Sequence, residues 1–291
     1  MTPPGAVTAF DAIGTAWRIT TDDPLSPGLR GAVDALVEEY DRTFSRFRSD
    51  SAVTRLAATG GPVDLGPWAP PLLDLLLRLA RSTAGAMTPL VGGALEHLGY
   101  GPGYRLDAGE GYRAAPAIDA LHVDGTVVTL GVPAVLDVGA AGKGQLVDLV
   151  AGLLADAGHT TFAVDASGDL RAAGRPVQVA LEHPFDAAAA VGVVDLRDGA
   201  IAGSAPNRRA WTATDGRRLH HVLDGRTGRP VDTVAATWAV AGSAMLADAL
   251  ATALFVAPPE ALEADFAFAW LRMATDGRAH WSPDLLGEVF A

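Results

Sequence analysis

The stretch Val135-Leu-Asp-Val-Gly-Ala-Ala-Gly-Lys-Gly144, continued by Gln-Leu-Val-Asp-Leu-Val-Ala-Gly-Leu-Leu-Ala-Asp-Ala-Gly158, decides how the chain is read. Its first part predicts a strand, Val135–Gly144, that runs into a Gly-rich turn. Leu146, Val147, Leu149, Val150, Leu153 and Leu154 then predict a helix of about four turns, closed by Gly158. Small residues at such a turn let a ligand approach the backbone, and a helix N-terminus attracts phosphate. Lys143 adds a cation there. The same pattern also suits a plain strand-to-helix turn with a solvated lysine. The Gly-Lys-Ser/Thr ending of a P-loop is missing.

Outward from this stretch, strands and helices mix without a regular βαβ rhythm, which predicts an α+β fold rather than a doubly wound sheet. Trp17, Ile19 and Thr20 suit a strand. Pro27 precedes a helical stripe through Phe47, and residues 64–79 pass from a short strand into a second helix. Residues 85–103 read as irregular. A hairpin is expected around Asp124-Gly125, within 117–131. Strands are expected at 160–164, 175–182, 191–203 and 234–241, with a turn at Ser167-Gly168-Asp169. The last helix is expected at Ser243–Phe255.

Composition narrows the function classes. Of 291 residues, 49% are apolar and 19% charged, which excludes a disordered chain. Thirty-four acidic against 22 basic residues give a net charge of −12, a poor match to nucleic-acid phosphates. There is no cysteine, so disulfides, thiolate metal sites, cysteine nucleophiles and a lipidated cysteine are all excluded. The segment Met1–Phe10 lacks the positive and apolar regions of a signal peptide, and no apolar run reaches the roughly 20 residues of a membrane span. A cytoplasmic location is the expectation.

Four clusters can carry chemistry. Leu136–Gly144 is the first. His221-Val-Leu-Asp-Gly-Arg-Thr-Gly-Arg-Pro230 crowds His, Asp, Arg and Thr on one turn, although Asp224 and Gly228 would also make an ordinary β-turn. Asp248 and Thr252 stand four apart on one helix face, a pair of oxygens suited to Mg²⁺; a dipole-favoured Asp near a helix N-terminus is the plainer alternative. Phe44-Ser-Arg-Phe-Arg-Ser-Asp-Ser51 joins aromatics to two arginines where a helix ends, with Ser49, Asp50 or Ser51 ready to cap the next short helix.

Taken in order, these segments resemble the ApbE family, the FAD:protein FMN transferases. Phe10-Asp-Ala-Ile-Gly-Thr-Ala-Trp17 is similar to the family's F-x-A-M-G-T-x-W opening. Phe44–Ser51 is similar to F-S-R-F-x-x-x-S, and Gly85-Ala-Met-Thr-Pro-Leu-Val-Gly92 to G-x-F-D-P-T-V-G. Leu136–Asp148 resembles L-D-L-G-G-I-A-K-G-x-x-x-D, and Ser167-Gly-Asp169 the G-G-D turn. His221–Pro230 resembles H-I-I-D-P-x-T-G-x-P, and Ala247-Asp-Ala-Leu-Ala-Thr252 resembles A-D-A-L-A-T. The resemblance covers about residues 6–257.

That resemblance implies a single ApbE-like (T-fold-like) domain of mixed sheets packed with helices, with a core of about 6–257, a C-terminal extension at 258–291, and FAD in a cleft between two sub-domains. It implies Mg²⁺-dependent transfer of the FMN part of FAD to a Thr or Ser hydroxyl of a target flavoprotein, with release of AMP. Asp248 and Thr252 would hold the metal by their side chains, Ala140 and Ala251 by their carbonyls. Ile13, Phe47, Ala86, Met87, Thr88, Asp137, Lys143 and Leu223 would line the FAD site. His221, Asp224 and Asp248 are the catalytic candidates, and the general base stays open between His221, Asp224 and a metal-held carboxylate. The same site would serve a FAD pyrophosphatase giving FMN and AMP, or a non-catalytic FAD-binding protein. The chain departs from the family pattern in several places. Ile13 replaces Met, Thr88 replaces Asp, Gly225 replaces Pro and is expected to loosen the turn, and Gly203-Ser204-Ala205 stands where T-S-G is usual.

Overall fold

In the computed structural model, which describes residues 5–290, strands Ala6–Ala12 and Thr15–Thr21 pair antiparallel with Ala12 opposite Thr15. Ile13 and Gly14 therefore make the whole turn, with φ of 44° and 75°. Two left-handed residues give the hairpin turn whose twist matches its strands. A β-branched residue rarely adopts such a φ, so Ile13 is held there by its surroundings.

This hairpin starts an eight-stranded sheet. It continues through Phe162–Asp165, Asp169–Ala173, Gly199–Ser204, Val234–Ala241, Ala269–Ala274 and Ala279–Trp281. Every neighbouring pair is antiparallel. With seven α-helices besides among the described residues, the chain is α+β, as the irregular order of elements implies. Helices Gly142–Asp156 and Ala244–Val256 pack in one core with the sheet: Leu146, Val147, Val150, Leu250 and Leu254 join Trp17, Ile19, Val164, Ala202 and Ala239. A second core joins Ile201, Trp238, Leu271 and Met273 to Leu181, Val191 and Val194. The last three belong to a small sheet of Val177–His183, Asp186–Leu196 and Gly287–Val289. Val234–Ala241 is thus covered on both faces and reads as a nearly unbroken apolar run.

The two central helices meet at Gly144. A Cβ there would lie 2.2 Å from the Ala244 carbonyl oxygen and 2.8 Å from the Asp248 Cβ. Asp148 ties the same helices together, accepting the N–H groups of Ala244 and Met245 at 2.9 Å each, while Arg171 donates to it at 3.0 Å. Ser243 adds the ordinary N-cap. Asp148→Ala is expected to cost about 1–2 kcal/mol, the loss of a cap plus a charge-assisted bond. Urea unfolding reads this as a lower midpoint; an unchanged midpoint would leave Ser243 as the sole cap that matters.

Four expectations need correction. Val135–Gly144 contains no strand. Leu136 and Val138 are apolar because they are buried, and the Asp137 N–H donates to the Pro89 carbonyl at 2.8 Å instead of joining a ladder. The run 191–203 is two strands in two sheets, divided at Asp198, whose φ is 45°. The first helix, Pro27–Phe44, stops short of Phe47, with Ser45 in extended conformation as its C-cap. Residues 85–103, read as irregular, also hold the short helix Gly92–His97. Within 258–290, two strands extend the eight-stranded sheet, and Gly287–Val289 pairs with Asp186–Leu196. No helix among the described residues is long and apolar enough to cross a membrane.

Candidate active site

The hairpin turn, the end of the first helix and the Gly-rich turn at 137–143 converge on one cleft of about 1070 Å³. The turns at 165–170 and 203–209 and the Ala244–Val256 helix complete it. Ile13, Phe47, Ala86, Met87, Thr88, Asp137, Ala140, Lys143, His221, Leu223, Asp248 and Thr252 all line it. Residues spread over more than 200 positions of sequence are thus brought together by the sheet. Asp224 and Ala251 are not brought to the cleft wall.

Asp248 sits one helical turn before Thr252 and is 5% exposed, so its carboxylate lies inside the protein rather than at a solvated helix end. Its Oδ2 accepts the Gly144 N–H at 3.0 Å. Asp169, 1% exposed, opens the strand after the Ser167-Gly168 turn, and neither of its carboxylate oxygens has a hydrogen-bond partner of good geometry. Lys143 Nζ lies 2.9 Å from Asp169 Oδ1 and also donates to the Ala166 carbonyl at 3.0 Å. Burial pushes the Asp248 carboxyl well above the usual carboxylate range, and Asp169 adds to the rise. Burial raises Asp169 as well, against the pull of Lys143. Two buried carboxylates share one lysine, which leaves a deficit of positive charge.

The wall repeats that deficit on a larger scale. Among the described side chains, Arg46, Arg48, Lys143 and Arg209 face six acidic residues, Asp41, Asp137, Asp165, Asp169, Glu182 and Asp248, a formal charge of −2. A dianionic diphosphate would be repelled unless a cation came with it. A hard divalent cation takes few protein oxygens and keeps phosphate and water oxygens, so Asp248, the Thr252 hydroxyl and the Ala140 carbonyl form a donor set of the right chemistry. The Ala251 carbonyl is already engaged by the Thr237 hydroxyl at 2.5 Å, with one lone pair left.

At another part of the cleft, Arg46 is buried, 4% exposed. It donates to Asp137 and to the Tyr100 carbonyl, the latter at 2.9 Å, and its guanidinium lies 4.2 Å from the centre of the Phe47 ring. Phe47 stacks on Tyr104 at 5.0 Å and 8°, and Tyr100 stacks on Trp211 at 5.8 Å. This aromatic floor offers flat faces to a planar ring system.

His221 also lines the cleft, 6.0 Å from the Tyr100 ring. Its Nδ1 is enclosed and has no partner. Burial lowers the imidazole to about 4, with Arg209 and His220 adding to the drop and Asp137 opposing it. The ring is therefore neutral at physiological pH and can accept a proton. Between about 6.5 and about 4 the unfolded chain binds a proton that the folded chain does not, so His221 makes stability fall as pH falls through that window. The full effect is about 3 kcal/mol at most, and less to the extent that the ring reaches the cleft. An NMR titration of the His221 ring is expected to show an inflection near pH 4; one near 6.5 would contradict this burial.

Asp224 follows the plainer reading of its segment. Its carboxylate pairs with Arg226 at 2.6 Å, and its carbonyl accepts the N–H groups of Thr227 and Gly228. The turn is not loosened by Gly225. The Gly225 N–H donates to the Ala86 carbonyl at 2.8 Å, and its carbonyl accepts from Ala115 at 2.8 Å. Sequence reasoning passed over Asp169, Tyr100, Tyr104, Ser204 and Arg209 as site residues. Asp169 carries a signal, an acidic residue opening a strand straight after a tight turn; Ser204 closes the strand Gly199–Ser204, Arg209 closes the short turn after it, and Tyr100 and Tyr104 come from the loop that follows the Gly92–His97 helix.

The ApbE family model matches residues 13–269. A FAD:protein FMN transferase of Klebsiella pneumoniae is 28% identical over 283 residues, 89% of this chain and 81% of that one. The Vibrio cholerae protein of the same name is 30% identical, over 79% of this chain and 74% of its own. Among solved structures, the flavin transferase ApbE from Vibrio cholerae superposes with a TM-score of 0.79 at 24% identity, over 96% of this chain and 97% of that one. An ApbE protein from Thermotoga maritima superposes at 0.82, with 23% identity and the same coverage. These likenesses in sequence and in fold agree with the Gly-rich turn, the Asp248–Thr252 pair and the cleft that unites them: the chain belongs to the ApbE family.

Proposed function

We propose that this chain transfers the FMN part of FAD onto a Thr or Ser hydroxyl of a target flavoprotein and releases AMP, with Mg²⁺ required. The observation that carries the reading is the pair of buried carboxylates, Asp169 and Asp248, beside Lys143 at a Gly-rich helix start, in a cleft whose described side chains are formally negative. Such a site has use for a cation and an anionic diphosphate together. It is also roomy enough for a dinucleotide, since ligand pockets commonly span about 300–1,000 Å³. The names of the relatives point to the same reaction.

In the reaction, the acceptor oxygen bonds to the phosphorus on the FMN side. The diphosphate P–O bond breaks, and AMP leaves with the bridging oxygen. When bound, Mg²⁺ neutralises diphosphate oxygens and stabilises charge on the departing phosphate. Asp248, Thr252 and the Ala140 carbonyl would hold it, with Ala251 contributing through its remaining lone pair. Lys143 and the positive end of the Gly142–Asp156 helix orient the diphosphate. The Phe47 ring and the wall formed by Ile13, Ala86, Met87, Thr88 and Leu223 seat the rings, with Arg46 and Asp137 fixing that wall. His221, neutral and lining the cleft, takes the hydroxyl proton through the part of its ring that faces the cleft. Asp224, committed to Arg226, holds the turn that carries His221 and Leu223.

AMP release from FAD tests this reading. It is expected to need both Mg²⁺ and a Thr-bearing acceptor peptide and to stop in EDTA. AMP released at the same rate without acceptor would mark a hydrolase. Tight FAD binding with no AMP under any of these conditions would mark a binding protein.

A further inference from the structure

Two of the chain's departures from the family pattern, Thr88 and Gly225, touch each other. They lie 137 positions apart in sequence. A Cβ placed on Gly225 would sit 2.5 Å from the Thr88 Cγ2, 3.0 Å from the Gly85 carbonyl oxygen and 3.2 Å from the Ala86 carbonyl oxygen. The first distance is far inside van der Waals contact, and the other two are tight. The methyl of Thr88 therefore fills the space in which residue 225 would carry a side chain. The Gly225 N–H donates to the Ala86 carbonyl at 2.8 Å, a bond that proline could not make. Thr88 is itself fixed, since its Oγ1 accepts the Leu90 N–H at 3.2 Å and the residue is 8% exposed. Ala86, Met87 and Thr88 form one wall of the cleft, whereas Gly225 does not face it.

We propose that Gly225 is a positioning residue for the dinucleotide. Its missing side chain and its N–H lock the 85–88 wall against the turn that carries Leu223, with Thr88 as the matching half of the contact. The proposal rests on the flavin-transfer reading for the identity of the ligand. A side chain at 225 must push Thr88 and the Ala86 carbonyl toward the cleft, because the turn behind it is pinned to Ala115 and closed on Asp224. A displacement of a few tenths of an ångström to 1 Å in a wall that seats a ring is enough to cost about ten- to a hundredfold in productive binding.

The experiment is a double-mutant cycle with Gly225→Ala, Thr88→Ser and the pair, in the full chain. FAD affinity is read from quenching of flavin fluorescence. KM and kcat come from AMP release, and melting temperature is read without ligand. Gly225→Ala is expected to weaken FAD and raise KM by about tenfold or more with kcat little changed. Thr88→Ser keeps the hydroxyl but removes the methyl that fills the contact, so it is expected to weaken FAD by less than Gly225→Ala, while the pair recovers most of the Gly225→Ala loss because the clashing methyl is gone. Gly225→Ala with FAD affinity and KM unchanged overturns the proposal, and so does a pair no better than Gly225→Ala alone. If Gly225→Ala lowers only the melting temperature, position 225 supports the fold and not the ligand. A wild-type chain that does not bind FAD contradicts the flavin reading itself; in that case the melting cycle still reports whether residues 88 and 225 are coupled.

Discussion

Asp248→Asn is expected to lower AMP release by about a thousandfold or more while leaving the ligand-free fold at least as stable as the wild type. The two halves of this expectation come from the same geometry. Asp248 is buried next to Asp169, and the cation beside them among the described residues is Lys143, which already faces Asp169. In the absence of a metal the Asp248 carboxyl is therefore an unfavourable group, raised well above its usual range by burial and by its neighbour. The amide has the same shape and can still accept the Gly144 N–H that Asp248 accepts at 3.0 Å. It removes a like charge and so relieves the free protein. The same exchange takes the carboxylate away from the proposed cation site. Melting in EDTA and AMP release in Mg²⁺ check the two halves together. A variant that stays active, or one that melts well below the wild type, would show that Asp248 is a structural residue.

Arg46→Met carries the largest expected cost in stability, about 3–5 kcal/mol, the range for breaking a buried ion pair by removing one partner. Arg46 has a side chain only 3% exposed, against 14% for Asp137. The exchange strands the Asp137 carboxylate, withdraws the donor from the Tyr100 carbonyl and takes the cation off the Phe47 ring. Glu96, 3.8 Å from Arg46 and raised by its own burial, loses the nearby cation that holds it down. Adding Asp137→Asn to Arg46→Met is expected to return part of the loss, since the stranded charge goes with it. Urea midpoints for the two variants decide the matter. A single variant within about 1 kcal/mol of the wild type would mean that the pair is well solvated and contributes little.

How much of this was legible beforehand depends on whether the information was local. The Ser243-capped helix, the Asp124-Gly125 hairpin and the Gly142–Asp156 helix could be read because cap, turn and apolar stripe lie within a few residues of one another. Val135–Val138 misled because burial and ladder pairing produce the same apolar pattern; what separates them is the bond from Asp137 to Pro89, 48 positions away. The break at Asp198 depends on a single left-handed residue inside a run that otherwise suits one long strand. In the site, the Asp248–Thr252 spacing pointed to paired oxygens on one helix face. The burial that raises Asp248, the second carboxylate at Asp169 and the contact of Thr88 with Gly225 are all made by tertiary packing. Periodicity carries no trace of them. Asp224 shows the converse, a residue whose local turn signal was the whole of its observed role.

The most direct test of the central claim is intact mass spectrometry of a Thr-bearing acceptor incubated with the protein, FAD and Mg²⁺, with AMP quantified in the same sample. The expected result is an acceptor heavier by one FMN unit, AMP released in equal amount, and neither product in EDTA or with Asp248→Asn. AMP accumulating while the acceptor keeps its mass would contradict transfer and make the site a hydrolase.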